Sequence, residues 1–391
     1  MELTLNAAQI LPDDSAEATL VGRVWRPDLA GPSIVVLREG NLIDITGSEP
    51  TMTDLINAYA PAATAHDADG EDLGPAAAII ENSCPDDHDP AQPRLLAPVD
   101  LSALKAAGVT FVDSMLERVI EERAEGDPQE AELIRRVIKG AIGDDLAAIV
   151  PGSPEAARLK GALIERELWS QYLEVGIGPD AEIFTKAQPL SSVGTGAEIG
   201  LHPKSTWNNP EPEVVLILNA AGAIVGASLG NDVNLRDFEG RSALLLCKAK
   251  DNNASCAIGP FIRLLDDGFG LDDVRKAEIS LTVAGDDGFV LDGTSEMTRI
   301  SRDIEELAGQ TVNRNHQYPD GAALFTGTAF APTKDRDTLD EGFTHKPGDL
   351  VTIASPQLGA LVNRVTTSDK APPWGFGVAA LMRNLASRGV L

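Results

Sequence analysis

An α+β fold is predicted for this chain of 391 residues, and three features predict it. Short β-like runs surround a helical segment in residues 1–80. Helix-period segments fill about 100–176, and Val/Ile/Leu-rich runs broken by Gly and Asn-Asp follow Gly176. The first part holds the runs Ala18 to Val24 and Ser33 to Leu37 and a helical Thr51 to Ala60. Asn82-Ser83-Cys84-Pro85-Asp86-Asp87-His88-Asp89-Pro90, with two prolines and a charge run, then reads as a boundary. A small α+β domain over 1–88 and a larger domain over 91–391 are therefore expected, the latter with a helical insertion at about 100–176. Helices are expected over Ser102 to Ala107, over Phe111 to Ala124 with Phe111, Met115, Leu116 and Val119 on one face, and in two further segments to about Gly176. Glu213 to Leu218 is apolar on both faces, as a buried strand requires, and is followed by Ala223 to Gly230.

With 43% hydrophobic and 24% charged residues the chain can bury a large core. The 32 Lys+Arg against 60 Asp+Glu leave a net charge of −28. Such a field repels phosphate backbones and anionic lipid, so neither nucleic acid nor a membrane surface is expected as a partner. The N-terminus lacks a basic segment followed by an apolar run, and no stretch reaches the ~18 apolar residues of a spanning helix; a cytoplasmic location is expected. Cys84, Cys247 and Cys256 lack paired spacing and read as reduced thiols, leaving oxygen as the donor for any metal.

In Trp207-Asn-Asn-Pro-Glu211-Pro-Glu213, the two glutamates stand two apart at the mouth of a strand and point to the same side. Two buried carboxylates need a cation or a shared proton, and a hard divalent ion such as Mg²⁺ meets that need. Taken alone, the pair also fits a solvated strand end. The continuation is Gly230-Asn231-Asp232-Val-Asn-Leu-Arg236-Asp237, then Lys250-Asp251, Gly259-Pro260, Thr326-Gly327-Thr328 and Lys346-Pro347-Gly348-Asp349.

This ordered set, over roughly 180–365, resembles the fumarylacetoacetate hydrolase family. The resemblance implies a mixed β-roll with a barrel-like core, and assembly as a homodimer or homotetramer. It also implies Glu211, Glu213 and Asp232 as ligands of Mg²⁺, with Mn²⁺ or Ca²⁺ as alternatives, and Lys250 as the lysine facing substrate. Arg236 and Asp237 fall on the family's Arg-Asp pair, either a salt bridge beneath the site or a substrate contact, and Asn231 either shapes its turn or touches substrate. Phe184-Thr-Lys186-Ala187, the helix Val109 to Glu122 and His316-Gln-Tyr-Pro-Asp-Gly321 resemble the family's sugar-acid dehydratase branch.

The helix leading into the catalytic domain carries no His, unlike that of the family's hydrolases, whereas dehydration needs no activated water. The resemblance thus implies a hydro-lyase taking a 2-keto acid, a 2-keto-3-deoxy-pentonate and foremost the D-xylonate form, to 2,5-dioxopentanoate. Lys250 is the expected C3 base, its pKa lowered by burial beside a cation, or else a charge stabiliser. Glu117 or Glu121 is the expected acid. Lys186, Ser191 and Ser192 beside the Gly194-Thr-Gly196 loop, together with Arg236, Thr328 and His316, are candidate substrate contacts. The alternatives are an acylpyruvate-type C–C hydrolase, an oxaloacetate decarboxylase-like activity and a non-catalytic Ca²⁺ module.

Overall fold

The computed structural model describes residues 3–391 except 126, 128, 132, 133, 135–148, 166–168, 331, 333 and 339–341. Much of the stretch expected to be helical between Arg123 and Val150 thus lies outside the described residues. The strands are β1 (Leu20–Arg26), β2 (Gly31–Arg38), β3 (Asn41–Asp44), β4 (Glu71–Pro75), β5 (Arg94–Leu96), β6 (Ala103–Gly108), β7 (Glu182–Ala187) and β8 (Glu198–Leu201). They continue as β9 (Pro212–Leu218), β10 (Ile224–Asp232), β11 (Cys256–Leu264), β12 (Glu278–Ala284), β13 (Val290–Glu296), β14 (Ala322–Phe325), β15 (Leu350–Ser355) and β16 (Gly359–Thr367). Four helices matter for the site: α1 (Val112–Arg123), α2 (Gln171–Ile177), α3 (Arg236–Glu239) and α4 (Leu246–Lys250).

The larger sheet runs β4-β3-β2-β1-β11-β10-β9-β14-β6-β7 with β5 beside β1, and the smaller runs β13-β12-β15-β16-β8. Both are mixed, since β14–β6 and β16–β8 are parallel among antiparallel neighbours. The α+β fold of mixed sheets is as expected, but neither sheet closes into a barrel among the described residues. Strands from both sides of the 88–91 loop share the larger sheet through Leu20↔Arg263 and Val21↔Ile262.

Strand β9 is buried along its whole length, and its alternation divides the interior. Val214, Leu216 and Leu218 face a core shared with Ile279, Leu281 and Val283 of β12 and with Val351 and Ile353 of β15. Val215 and Ile217 face a second core with Ile258, Ile262, Ala323 and Phe325. The side chains of Glu211 and Glu213 follow the odd-numbered set, so they come out at the open end of the second core.

One expectation fails: where a helix is expected over Ser102 to Ala107, the chain forms strand β6, Ala103–Gly108. An alanine-rich stretch has helix propensity, but β6 pairs with β14 on one side and β7 on the other. Leu104 and Ala106 then enter the second core, while Lys105 stays outside and donates to Thr185 Oγ1 at 2.9 Å; tertiary pairing overrides propensity. The helix expected over Phe111 to Ala124 is present as α1. Its Met115, Leu116, Val119 and Ile120 pack with Leu173 and Ile177 of α2 and with Trp207.

The Lys346-Pro-Gly-Asp349 turn closes around a buried carboxylate. Asp349 accepts from Arg336 Nη1 at 2.6 Å and Nη2 at 2.7 Å and from the Lys346 N–H at 2.8 Å, with His345 Nδ1 at 3.2 Å. Burial alone would raise this carboxyl; the Arg336 fork, His345 and the amide outweigh it and bring its pKa from 3.8 to about 2. A depressed folded-state pKa contributes stability above the unfolded value, here about 2 kcal/mol, and loses it as pH falls through the folded value. Asp349→Asn is therefore expected to lower urea stability by about that amount at pH 7, with the gap to wild type narrowing between pH 4 and pH 2.

Candidate active site

Strand pairing brings three carboxylates together. Glu213 stands opposite Gly230 and Asp232 ends β10 opposite Cys256, while Glu211 precedes β9 with its N–H held by Asn231 Oδ1 at 3.1 Å. Asn231 thus anchors the Glu211 backbone from the end of β10, where it pairs with Pro212, instead of shaping a turn. The three acids are buried and offer one oxygen each within 4.8 Å of one another. Among the described residues this is the one such acidic, His or Cys group found. All three donors are hard oxygens, which suits Mg²⁺, Mn²⁺ or Ca²⁺ rather than a thiophilic ion.

Buried cations balance the acids. Lys250, at the end of α4, places Nζ 2.5 Å from Glu211 Oε2 and 3.0 Å from Asp232 Oδ2. Lys186 of β7 lies 2.8 Å from Asp232 Oδ1 and donates to the Lys250 carbonyl at 2.6 Å. From α1, Arg118 binds Glu211 Oε1 and reaches Glu121 at 2.7 Å and Glu239 at 2.9 Å. Burial opposes the charged form of Asp232, but Lys186 and Lys250 overcome it and lower its pKa. Glu213 is pushed well above the carboxylate range by burial and by Asp232 and Glu211, even with the Gly327 N–H donating to it at 2.7 Å. Gly327 holds φ at +101°, and a Cβ there would collide with Thr110 Oγ1, so this donor position requires glycine.

Lys250 is expected to have its pKa lowered by burial beside a cation; with the protein's own charges alone the balance runs the other way. Burial does lower it, but Asp232, Glu211 and Glu239 outweigh burial and hold the ammonium form well above the usual lysine range.

Ser114, Arg118, Glu182, Phe184, Glu239, Lys250 and Thr328 close over the triad around a cavity of ≈ 10 Å³, about the space of one water. Arg118, Glu182 and Glu239 are members of this group that the sequence reading did not single out. Ser114 and Arg118 are four apart on α1 and face the cavity, whereas Glu117 and Glu121 lie on an adjacent face and do not line it. Glu121 instead bridges Arg118 and Arg236, the latter at 3.2 Å. Glu182 begins β7, two and four residues before Phe184 and Lys186, and strand alternation could have aligned the three. Burial, reinforced by the Glu239 charge, pushes Glu182 up to about 7. Gly108, its partner in register, leaves room for that carboxylate, which a Cβ would strike.

The other candidates separate. Thr328 lines the cavity, its hydroxyl donating to Phe330 O at 3.1 Å. Arg236 is buried beneath the site, held by Asn209 Oδ1 at 2.8 Å and stacked on Trp207, so it braces rather than lines the cavity. Asp237 accepts from Ser205 Oγ and the Thr206 N–H, each at 2.8 Å. Ser191 bonds Gln188 and faces a different cleft, as does Ser192, and His316 is exposed. No histidine lines the triad cavity. Cys84 and Cys256 are buried free thiols and Cys247 an exposed one. Among the described residues no helix is long and apolar enough to cross a membrane.

Residues 175–366 match the fumarylacetoacetate (FAA) hydrolase C-terminal domain. The chain is 32% identical over 203 residues to a probable 2-keto-3-deoxyxylonate dehydratase of Haloferax volcanii, covering 52% of this chain and 66% of that protein. It is also 33% identical over 184 residues to 2-dehydro-3-deoxy-D-arabinonate dehydratase of Saccharolobus solfataricus, covering 47% of this chain and 58% of that one. The matches thus span somewhat less than two thirds of the length of these curated relatives. Among solved structures, 2-keto-3-deoxy-D-arabinonate dehydratase complexed with magnesium and 2,5-dioxopentanoate superposes with a TM-score of 0.61 at 21% identity, over 89% of this chain and 99% of that one. That likeness speaks for the fold.

Calorimetric titration of the purified chain with Mg²⁺ is expected to reveal one site per chain. Affinity should fall by at least about tenfold in Glu213→Gln and in Asp232→Asn, and an unchanged isotherm in both variants would remove the triad as the binding site.

Proposed function

We propose that this protein is a metal-dependent hydro-lyase that dehydrates a 2-keto-3-deoxy-pentonate, foremost the D-xylonate form, to 2,5-dioxopentanoate. The observation that carries this reading is the convergence of Glu211, Glu213 and Asp232 with Lys250 and Glu182 on one histidine-free cavity. Relatives named as dehydratases of such acids support it. The three carboxylates would hold the ion. When bound, a divalent cation would polarise the 2-keto carbonyl and offset the carboxylate field that now keeps Lys250 protonated.

Lys250 then takes the C3 proton. Glu182, rather than Glu117 or Glu121, gives a proton to the C4 hydroxyl as the C4–O bond breaks, so that it leaves as water. The C3=C4 alkene formed shifts through the C4=C5 enol to the C5 aldehyde, with a net loss of one water. Arg118 and Thr328, which line the cavity, would meet the substrate's oxygens. A five-carbon acid exceeds the cavity, so Arg118 and its neighbours must give way on binding.

The test supplies Mg²⁺-loaded protein with 2-keto-3-deoxy-D-xylonate, the D-arabinonate form and an acylpyruvate. Metal-dependent 2,5-dioxopentanoate is expected, and pyruvate from the third substrate alone would point to the C–C hydrolase. Lys250→Met should lose both turnover and deuterium exchange at C3. Glu182→Gln should retain the exchange while kcat drops by about 10²–10⁴. Because the donor must be protonated, wild-type kcat is expected to fall as pH rises past about 7, a limb missing from Glu182→Gln.

A further inference from the structure

A second, larger cavity shares no lining residue with the triad site. It measures ≈ 640 Å³ and lies between β1, β5, the 190–198 loop and the 372–376 segment, within the size range of small-molecule pockets. Trp25 and Phe376 meet edge to face at 5.3 Å on its wall, and Trp374 lines it while 47% exposed. Arg94, paired in register with Trp25, lies with its guanidinium carbon 5.8 Å from the indole centroid.

Arg94 is unusual among the arginines of this acidic chain that are not exposed. Arg26, Arg263, Arg275, Arg336 and Arg364 each hold at least one carboxylate. Among the described residues Arg94 has no hydrogen-bond acceptor or carboxylate partner, and its pKa is lowered by burial alone. Ser192 Oγ, also on this cavity, is buried without a hydrogen-bond partner. Of the other charged groups there, Glu198 pairs with Arg364 at 3.2 Å, and Arg23 donates through Nη1 to the Val99 carbonyl at 2.6 Å and the Ala97 carbonyl at 3.2 Å. A partly desolvated guanidinium and a buried hydroxyl, both lacking partners beside aromatic walls, have the chemistry to receive an anionic group carried on a flat apolar body.

We propose that this cleft binds a small aromatic anion, an aryl carboxylate or aryl phosphate, with Arg94 on the anionic group and Trp25, Trp374 and Phe376 around the ring. The proposal is independent of the dehydratase reading, because its test reads binding and not turnover. Saturation-transfer NMR on the Mg²⁺-loaded full chain uses 4-hydroxybenzoate, phenyl phosphate and neutral benzyl alcohol as probes.

At least one anion is expected to bind at about 1 mM or tighter, with benzyl alcohol about tenfold weaker. Which anion binds distinguishes the carboxylate from the phosphate source. Arg94→Gln should weaken the anion about tenfold and leave benzyl alcohol unchanged; Lys250→Met should leave both unchanged. If Arg94→Gln does not fold, Trp374→Ala, at an exposed position, should weaken anion and alcohol alike. No binding of either anion at about 10 mM would overturn the proposal. So would equal affinity in the folded Arg94 variant, or in Trp374→Ala where that variant is the one tested, and so would loss of binding in Lys250→Met, which would place the anion at the triad.

Discussion

Three carboxylates buried within 4.8 Å of one another are the constraint around which the rest of the site is arranged. Unbalanced, they would be far too costly in a protein interior. The fold answers with cations from three separate elements: Lys186 from β7, Lys250 from α4 and Arg118 from α1. Each is positioned by packing that lies outside the cluster. The hydrophobic face of α1 fixes Arg118, and the position of β7 beyond β6 and β14 fixes Lys186. A change in any of these contacts would be felt as a change in the electrostatics of the acids.

Strand β9 connects the apolar and polar parts of this arrangement. Its odd-numbered side chains pass from Ile217 and Val215 in the core to Glu213 and Glu211 at the site. The sheet that stabilises the molecule therefore also sets the spacing of two acids, and β10 brings the third by register. Strands carry Glu213 and Asp232, and Glu211 stands immediately before β9, which suits a site that must hold fixed geometry.

Much of this was legible in the amino-acid order. Glu-x-Glu before an all-apolar run gives both the buried strand and the alignment of its acids, and the Asn-Asp and Lys segments mark the other members. The helix over Phe111 to Ala124 was legible from its apolar face. Its functional polar face was not, because Ser114/Arg118 and Glu117/Glu121 have the same four-residue spacing and only tertiary contacts choose between them. β6 was misread because a leucine and a lysine among alanines favour a helix until the neighbouring strands are known. Glu182 was overlooked although strand period links it to Phe184 and Lys186. Nothing local marks Glu239, which matters because α3 brings it within 2.9 Å of Arg118 on α1.

The reach of Arg118 across Glu211, Glu121 and Glu239 has a consequence for assembly of the protein. Together with the two lysines it acts as a resident counter-charge, so the acidic cluster can be buried during folding before any ion arrives. Uptake of a divalent ion there would be an exchange against internal competitors, and its observed affinity would be the difference between two sets of contacts. Small metallo-domains that are unfolded until loaded depend on ion supply to exist at all. A chain built this way can accumulate folded and exchange its ion later, giving up some affinity for independence from the supply.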